Sequence, residues 1–138
     1  MRNEPTLYII MRNDLPSLNP GKLAAQAAHV ANVAVKRGAR AIVRRWERQI
    51  TQGFGTTIVL GATLDFIKSN MSETMVFDPT YPCEITYEVG VHLAANGQRR
   101  RVYFDHDGRK AIYIRREIVG AWYIGDRPPI FDELELYP

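Results

Sequence analysis

Cysteine is almost absent from the sequence, and so are long apolar runs and the features of an export signal. The one cysteine, Cys83, excludes an internal disulfide framework. Every apolar run is far shorter than the roughly 20 residues of a membrane-spanning helix. Residues 1–6 are polar and include Glu4, unlike the charged and then apolar layout of a secretory signal. We therefore expect a cytoplasmic protein with no membrane contact.

The size and composition of the chain favour one domain. With 138 residues, of which 46% are hydrophobic, the chain can bury one core but is too short to divide comfortably into two. No internal repeat or low-complexity tract interrupts it. We therefore expect a single domain over residues 1–138.

Charge is unevenly distributed, although the formal net charge is only +3. Basic residues cluster in three places, whereas residues 127–138 form an acidic tail. The clusters are Lys36, Arg37, Arg40, Arg44, Arg45 and Arg48; Arg99 to Arg101; and Arg115 with Arg116. Such segregation indicates an anionic partner, most commonly nucleic acid, or simply solvated helix and hairpin faces, and charge alone leaves both open.

The apolar patterning predicts an α/β fold. Residues 7–11 and 56–60 are apolar runs of strand length without alternation, which indicates strands covered on both faces. Between them we expect an Ala-rich helix from Lys22 to about Arg37 and an amphipathic helix after Gly38. A short helix over residues 64–70, capped by Thr63, follows the second strand. Residues 75–77 indicate a third strand that stops at Asp78-Pro79, and residues 121–124 indicate the last core strand.

The segment 85–114 follows a different pattern, which predicts a β insertion. Apolar residues alternate from Ile85 to Leu93, as in a half-exposed strand. Asn96-Gly97 and Asp107-Gly108 are strong hairpin turn signals, so residues 99–104 and 109–114 would complete an antiparallel meander. The predicted fold is thus a mixed β-sheet flanked by helices on both faces, with an inserted antiparallel β-meander before the last core strand.

Polar side chains interrupt one face of the Ala-rich helix. Lys22, Gln26 and His29 are spaced i, i+4 and i+7, so they lie along one face that starts at the helix N-terminus. Helix-terminal amides together with a lysine suit a phosphate or a developing oxyanion. A helix that merely shows its hydrated face is the structural alternative.

Carboxylates follow two of the predicted core strands. Asp14 lies in the loop after the first strand and Asp78 closes the third. If those strands run parallel, both residues lie at the sheet edge where α/β proteins usually bind ligands. Asp78 would then be a general base with a pKa raised by apolar surroundings, or else a cap for the turn at Pro79. Thr80 and Tyr81 follow at once and offer hydroxyls to substrate or water.

Other patterns carry less weight. Gly21-Lys22 lacks the earlier glycine and the following Ser or Thr of a phosphate-binding P-loop. Asp105-His106-Asp107 has the residue types of metal ligands, but it lies on a predicted hairpin tip, where turn formation explains it better. Cys83 has no histidine near it in sequence and is better explained as a small buried residue than as a catalytic thiol. We therefore expect no metal and no cofactor.

The most specific pattern in the chain is the start of the first helix with the strand before it. Met11-Arg12 ends the strand, Asp14 lies in the loop, and Gly21-Lys22-Leu23-Ala24-Ala25-Gln26 is followed by His29. In order and spacing this block resembles the type 2 peptidyl-tRNA hydrolases, and the chain is similar to a divergent, virus- or phage-like member. Weaker similarity follows at residues 57–60, 76–78 and 121–125.

This resemblance implies hydrolysis of the ester that joins a peptide to the 3′ end of tRNA, with peptidyl-tRNA as the partner, and a homodimer in many members. Lys22, His29 and Asp78 match the positions of the family's site residues, while Asp14 and Gln26 match their neighbours. After Asp78 the sequence departs from the family, because Pro79-Thr80-Tyr81-Pro82 replaces a Gly-Arg-Thr-Gln-like run.

We therefore expect metal-free ester hydrolysis. Asp78, helped by His29, would activate water, while Lys22 and the helix amides would stabilise the oxyanion. The expected substrate contacts are Asp14, Gln26, Thr80 and Tyr81. RNA phosphates would bind Arg40, Arg44 and Arg48, or the predicted strand with Arg99 to Arg101. Two alternatives stay open: a non-catalytic RNA- or partner-binding module on the same fold, and an esterase for a small acyl substrate.

Overall fold

The structure, a computed structural model, describes residues 4–137. Within them lie the strands β1 (Thr6–Arg12), β2 (Thr57–Ala62), β3 (Met75–Thr86), β4 (Val102–Phe104), β5 (Lys110–Gly125) and β6 (Glu135–Leu136). The helices are α1 (Pro20–Arg37), α2 (Arg40–Glu47), α3 (Leu64–Asn70) and α4 (Tyr87–Leu93). Shorter helical turns span Ser72–Thr74, Ala94–Gln98, Arg99–Arg101 and Pro129–Glu133. Residues 1–3, part of the segment on which the absence of an export signal was predicted, lie outside the described residues.

The six strands form a mixed sheet in the order β3-β5-β1-β2-β6, and β4 pairs with β5. β1 and β2 run parallel, with Ile9 opposite Val59. β5 runs antiparallel to β1, with Trp122 opposite Ile9. β6 adds to β2, and β4 to β5, in the antiparallel sense. The predicted α/β class with a mixed sheet is confirmed.

By the proximity of their Cα atoms, the described residues form two compact units. The first unit contains residues 4–15, Asn19–Val76 and 118–137. The second contains Pro16–Leu18 and Phe77–Glu117. That the whole chain is a single domain stays a prediction.

The first unit buries both faces of β1, as its continuous apolar run predicted. Tyr8 and Ile10 share one face, where they pack with α3 and with Phe131. The rings of Tyr8 and Phe131 meet edge to face, with centroids 5.3 Å apart. Gly120 of β5 lies on the opposite face, where an added Cβ would be 3.2 Å from Cγ2 of Val30 in α1. Helices therefore cover both faces of this part of the sheet, as expected.

Side-chain hydrogen bonds position the shorter helices of the first unit. Thr63 caps α3 by accepting a hydrogen bond from the Phe66 backbone N–H at 3.2 Å, which confirms the predicted cap. In α2 the buried Trp46 donates its indole N–H to the carbonyl of Thr56 at 2.8 Å, which ties the helix to the start of β2. The longest helix, α1, has 18 residues, and among residues 4–137 none combines the length and the apolar character needed to cross a bilayer.

In the second unit, the predicted strand over residues 85–93 is wrong, because Tyr87–Leu93 form α4. Thr86 caps this helix by accepting a hydrogen bond from the Val89 backbone N–H at 3.2 Å. Gly90 lets the helix approach β5, since a Cβ there would lie 2.8 Å from the Cβ of Ala111. The alternating apolar residues do not face a core: Val89 is 46% exposed. Packing at Gly90 overrides the period-two pattern.

One of the two predicted hairpin turns exists. At Asp107-Gly108 the chain turns between β4 and β5, with Gly108 at a φ of +67° and Tyr103 opposite Ile112. At Asn96-Gly97 it instead makes the turn Ala94–Gln98, with Gly97 at a φ of +91°, and Arg99–Arg101 is a helical turn rather than a strand. The predicted meander is therefore a helix followed by one hairpin.

Two strands are longer than the sequence indicated. β3 continues through Asp78 and Pro79 to Thr86. Prolines are tolerated there because β3 ends the sheet order, and an edge strand can leave the missing N–H on its unpaired side. β5 joins the predicted hairpin strand and the predicted last core strand into one strand of 16 residues.

The C-terminal segment folds as part of the first unit rather than as a tail. Phe131, in the turn Pro129–Glu133, is buried in the core cluster. β6 then pairs with β2, with Leu136 opposite Leu60. The segment is acidic as predicted, yet it closes one edge of the sheet.

Candidate active site

The carboxyl end of β1 is held by an ion pair between Arg12 and Asp14. Arg12 is buried, and its Nε donates to Asp14 Oδ1 at 2.9 Å while its Nη1 donates to the Ile118 carbonyl at 3.0 Å. The other oxygen, Asp14 Oδ2, accepts a hydrogen bond from the Leu64 backbone N–H at 3.1 Å. Asp14 therefore joins the end of β1 to the first turn of α3. Its predicted contact with substrate stays a prediction, and both of its oxygens already have partners in the fold.

These contacts change the acidity of Asp14. Partial burial by itself would raise the pKa of the carboxyl, but the hydrogen bonds from Arg12 and from the Leu64 N–H, with the charge of Arg12, outweigh it and lower the pKa below its ordinary value of 3.8. Asp14 is thus a carboxylate at neutral pH and is unsuited to act as a base there.

The predicted polar stripe lies along α1. Asn19 caps this helix by accepting a hydrogen bond from the Lys22 backbone N–H at 2.9 Å, and Pro20 occupies the first turn. Lys22 is half-buried in that turn, Gln26 is buried one turn further, and His29 is exposed. The ammonium of Lys22 therefore belongs to the N-terminal end of an 18-residue helix, where the helix dipole favours negative charge.

Asp78 lies near the start of β3 and is paired with Thr80. Asp78 Oδ1 accepts hydrogen bonds from the Thr80 backbone N–H at 2.9 Å and from Thr80 Oγ1 at 3.0 Å. Bonds to the residue two positions ahead are those of the capping role that the sequence left open for Asp78, although the chain continues here as a strand and does not turn. The same two bonds orient the carboxylate, so a second role as a base is compatible with them.

Tyr81 is fully buried, unlike the exposed Thr80. Its hydroxyl donates to the Pro16 carbonyl at 2.6 Å, and the Glu84 backbone N–H donates to Ser17 Oγ at 2.9 Å. These bonds attach residues 16–18 to β3 within the second unit. A contact between Tyr81 and substrate stays a prediction. In the structure, this side chain stabilises the fold of the second unit through its bond to Pro16.

The basic residues of α2 form an exposed stripe. Arg40, Arg44 and Arg48 are each four residues apart, so they lie on one side, and none of them has a carboxylate within ion-pair distance in residues 4–137. A groove of about 440 Å³ beside α2 is lined by Lys36, Arg40, Arg44 and the single carboxylate of Glu47. The groove can therefore accept an anion.

Asp105-His106-Asp107 forms the turn of the hairpin, as the sequence predicted. Asp105 Oδ1 accepts hydrogen bonds from the backbone N–H groups of Arg109 at 3.1 Å and Lys110 at 3.3 Å. In the described part of the chain no three His, Cys, Asp or Glu side chains are grouped so as to hold a metal ion.

Two arginines with specific roles were not identified from the sequence. Arg12 directly follows the apolar run and stands two residues before Asp14, and that spacing was a usable signal for a buried ion pair. Arg116 places its guanidinium carbon 4.3 Å from the ring centroid of Phe77. Sequence gave no sign of this second contact, because 39 positions separate the two residues.

The predicted site residues are divided between the two units. Lys22, Gln26 and His29 follow one another along α1 in the first unit, which also contains Asp14 and the α2 arginines. Asp78, Thr80 and Tyr81 belong to the second unit. That the Lys22 ammonium and the Asp78 carboxylate face one pocket stays a prediction.

Comparison with known proteins supports the resemblance found in the sequence. The family model described as Peptidyl-tRNA hydrolase PTH2 matches residues 6–73, from β1 to the turn after α3. The match contains Asp14, Lys22, Gln26 and His29 and ends before Asp78. No curated protein and no solved structure matches the chain significantly. Over residues 6–73, a little under half of its length, the chain is therefore similar to the type 2 peptidyl-tRNA hydrolase family.

Proposed function

We propose that this protein hydrolyses the ester bond between the peptide and the tRNA of peptidyl-tRNA, releasing free tRNA. The observation that carries the proposal is the family match over β1 and α1, within which Lys22 lies in the first turn of a long, capped helix. A lysine and helix amides at that place suit an ester oxygen that gains negative charge.

In the proposed mechanism, Asp78 orients a water molecule and takes its proton while the water oxygen attacks the ester carbonyl carbon. The hydrogen bonds from Thr80 keep the Asp78 carboxylate in one orientation. Lys22 and the first-turn amides of α1 stabilise the tetrahedral oxyanion, and His29 assists proton movement. When the intermediate collapses, the C–O bond to the ribose breaks and the departing oxygen takes the proton from Asp78. The reaction uses no metal.

Substrate affinity in this proposal comes mainly from the tRNA. The exposed stripe of Arg40, Arg44 and Arg48 would bind phosphates, so affinity would fall as the salt concentration rises. The same stripe favours the second candidate, an RNA-binding module without hydrolysis, because it does not depend on the divergent segment after Asp78. Cytoplasmic location and a homodimer belong to the proposal as well.

The test is release of N-acylated amino acid from tRNA by the purified full chain. We expect Asp78→Ala to lower kcat by roughly 10²- to 10⁴-fold and Lys22→Ala by roughly 10²- to 10³-fold. Lys68→Ala and Asp65→Ala, which remove the same charges from α3, are the controls and should leave the rate unchanged. A chelator should also leave it unchanged.

Three other outcomes would reject this assignment. Unchanged turnover when Asp78→Ala and Lys22→Ala are combined would remove both groups from the reaction. Salt-sensitive tRNA binding without hydrolysis by the wild-type chain would favour the RNA-binding module. Cleavage of small acyl esters, with tRNA neither bound nor cleaved, would favour the small-substrate esterase.

A further inference from the structure

The second unit has an exposed sheet face that the proposed reaction does not use. Along β5, Lys110, Ile112 and Arg116 are exposed, whereas Ala111, between the first two, and Glu117, next to the third, are buried. Side chains alternate along a strand, so the three exposed residues share one face. We name it the outer face. The hairpin register extends this face onto β4, because Tyr103 lies directly opposite Ile112.

The outer face also includes part of β3. Lys110 Nζ lies 2.8 Å from Glu84 Oε1, which places the Glu84 side chain on the outer face. Tyr81 and Cys83 are buried, while Thr80 and Glu84 are exposed, so Thr80 shares the face of Glu84. The Thr80 hydroxyl donates to Asp78. The outer face therefore extends from the hairpin to the proposed catalytic carboxylate, within one unit.

Aromatic rings are unusually accessible on this unit. Tyr103 is 60% exposed, which makes it the most exposed aromatic side chain among residues 4–137. Phe77 is 44% exposed and lies under the guanidinium of Arg116. A shallow cavity of about 260 Å³ lies beside Tyr103 and Ile112. An exposed tyrosine on a sheet surface offers a flat face on which a nucleobase can stack.

Positive charge on the outer face is not neutralised by its carboxylates. Glu84 is paired with Lys110, and Asp105 accepts two hydrogen bonds from its own turn. Arg116 has no carboxylate within ion-pair distance in the part of the chain that the structure describes. Arg101 donates from Nη1 to the Ile114 carbonyl at 3.3 Å, which holds its charge against β5. Arg116 thus lies four residues along β5 from Ile112, the residue opposite Tyr103, and Arg101 precedes Tyr103 by two residues in the chain.

We infer that the outer face binds unpaired nucleotides of RNA, with a base stacked on Tyr103 and phosphates on Arg101 and Arg116. The inference rests on the proposed function, since it assigns the single-stranded 3′ end of the same tRNA to this face. An exposed ring on the same unit as arginines that have no carboxylate partner fits RNA, because a nucleobase can stack on Tyr103 while phosphates of the same strand bind the arginines. The family match ends at residue 73, so this face lies outside the matched segment.

The experiment measures binding of a short, labelled, single-stranded RNA that carries no ester, by fluorescence anisotropy with the full chain. Tyr103→Ala should weaken binding roughly 5- to 100-fold, the effect of losing one stacked base, whereas Tyr103→Phe keeps the ring and should bind as the wild type does. Arg116→Gln should lower the slope of log affinity against log salt by about 0.7. Leu136→Ala and Lys68→Gln alter exposed residues of the first unit and are the controls.

The outcomes separate this inference from the proposed function. Equal affinity of the wild type, Tyr103→Ala and Arg116→Gln overturns the inference, and so does binding of an acidic peptide without binding of RNA. Binding that depends on Tyr103 supports it even where the same preparation hydrolyses no ester, a result that rejects only the proposed function. If the protein hydrolyses the ester but its RNA affinity does not depend on Tyr103, the proposed function is supported and this inference is rejected.

Discussion

Replacing Asp14 by alanine removes two hydrogen bonds that join the end of β1 to α3. One is the bond from the buried Arg12, and the other is the bond from the Leu64 N–H. A hydrogen bond to a charged group contributes roughly 1.5–3 kcal/mol, which we halve because the Asp14 side chain is 43% exposed. The bond to the helix N–H contributes roughly 1 kcal/mol. The free energy of unfolding should therefore fall by about 2 kcal/mol, and Tm by roughly 6–10 °C.

The pH dependence of this effect follows from the direction of the pKa shift. Because folding lowers the pKa of Asp14, its contribution is fully present above the ordinary value of 3.8 and is lost as the pH falls through the lowered folded value. The difference in stability between the wild type and Asp14→Ala should thus be constant from pH 7 to about pH 5 and shrink below that. Urea unfolding followed by circular dichroism over this range measures it.

Asp65→Ala is the matched control for Asp14. Asp65 is in the first turn of the same helix, α3, and makes no hydrogen bond or ion pair in residues 4–137. Its replacement should change the unfolding free energy by less than about 0.5 kcal/mol, with no change between pH 7 and pH 3. Two results would refute the reasoning. One is an equal loss of unfolding free energy in the two variants at pH 7, and the other is a loss in Asp14→Ala that is as large at pH 3 as at pH 7.

Two further predictions concern packing in the second unit. Gly90→Ala should lower the stability of the second unit by about 1–3 kcal/mol, since the new Cβ would lie 2.8 Å from the Cβ of Ala111. At Gly21 the nearest atom to an added Cβ is 3.5 Å away, so Gly21→Ala should be neutral or stabilising. Thermal unfolding measures both, and similar Tm values for the two variants would contradict the close approach. Tyr81→Phe should cost about 1 kcal/mol, because the Pro16 carbonyl loses its 2.6 Å hydrogen bond. Tyr113→Phe is the control, because the Tyr113 hydroxyl has no hydrogen bond among the described residues. An equal loss of stability in Tyr113→Phe would rule out the bond from Tyr81 to Pro16 as the cause.

Local signals predicted the first half of the chain well. The apolar run of β1 has no alternation because both of its faces are buried, and Thr63 caps α3 by a bond to a residue three positions away. Such features depend on neighbours in sequence or on burial alone. They were therefore accessible without coordinates.

Predictions for the second unit were less accurate because distant contacts decide its structure. Residues 87–93 alternate like a strand, yet Gly90 packs on Ala111 and the segment is a helix. β3 passes through Pro79 because of its position at the end of the sheet order, which no local pattern reports. For the site, the sequence identified Asp14, but not the buried arginine and the helix N–H that occupy its two oxygens.

By itself, the sequence determined the α/β class, the helix with Lys22 near its start and the family resemblance over residues 6–73, because periodicity and a motif depend on neighbouring residues. Tertiary structure alone decided that the C-terminal segment closes the sheet, and that Tyr103 and Arg116 lie on one exposed face. These outcomes depend on which strands become neighbours and in what register. That choice is made by packing between residues far apart in the chain.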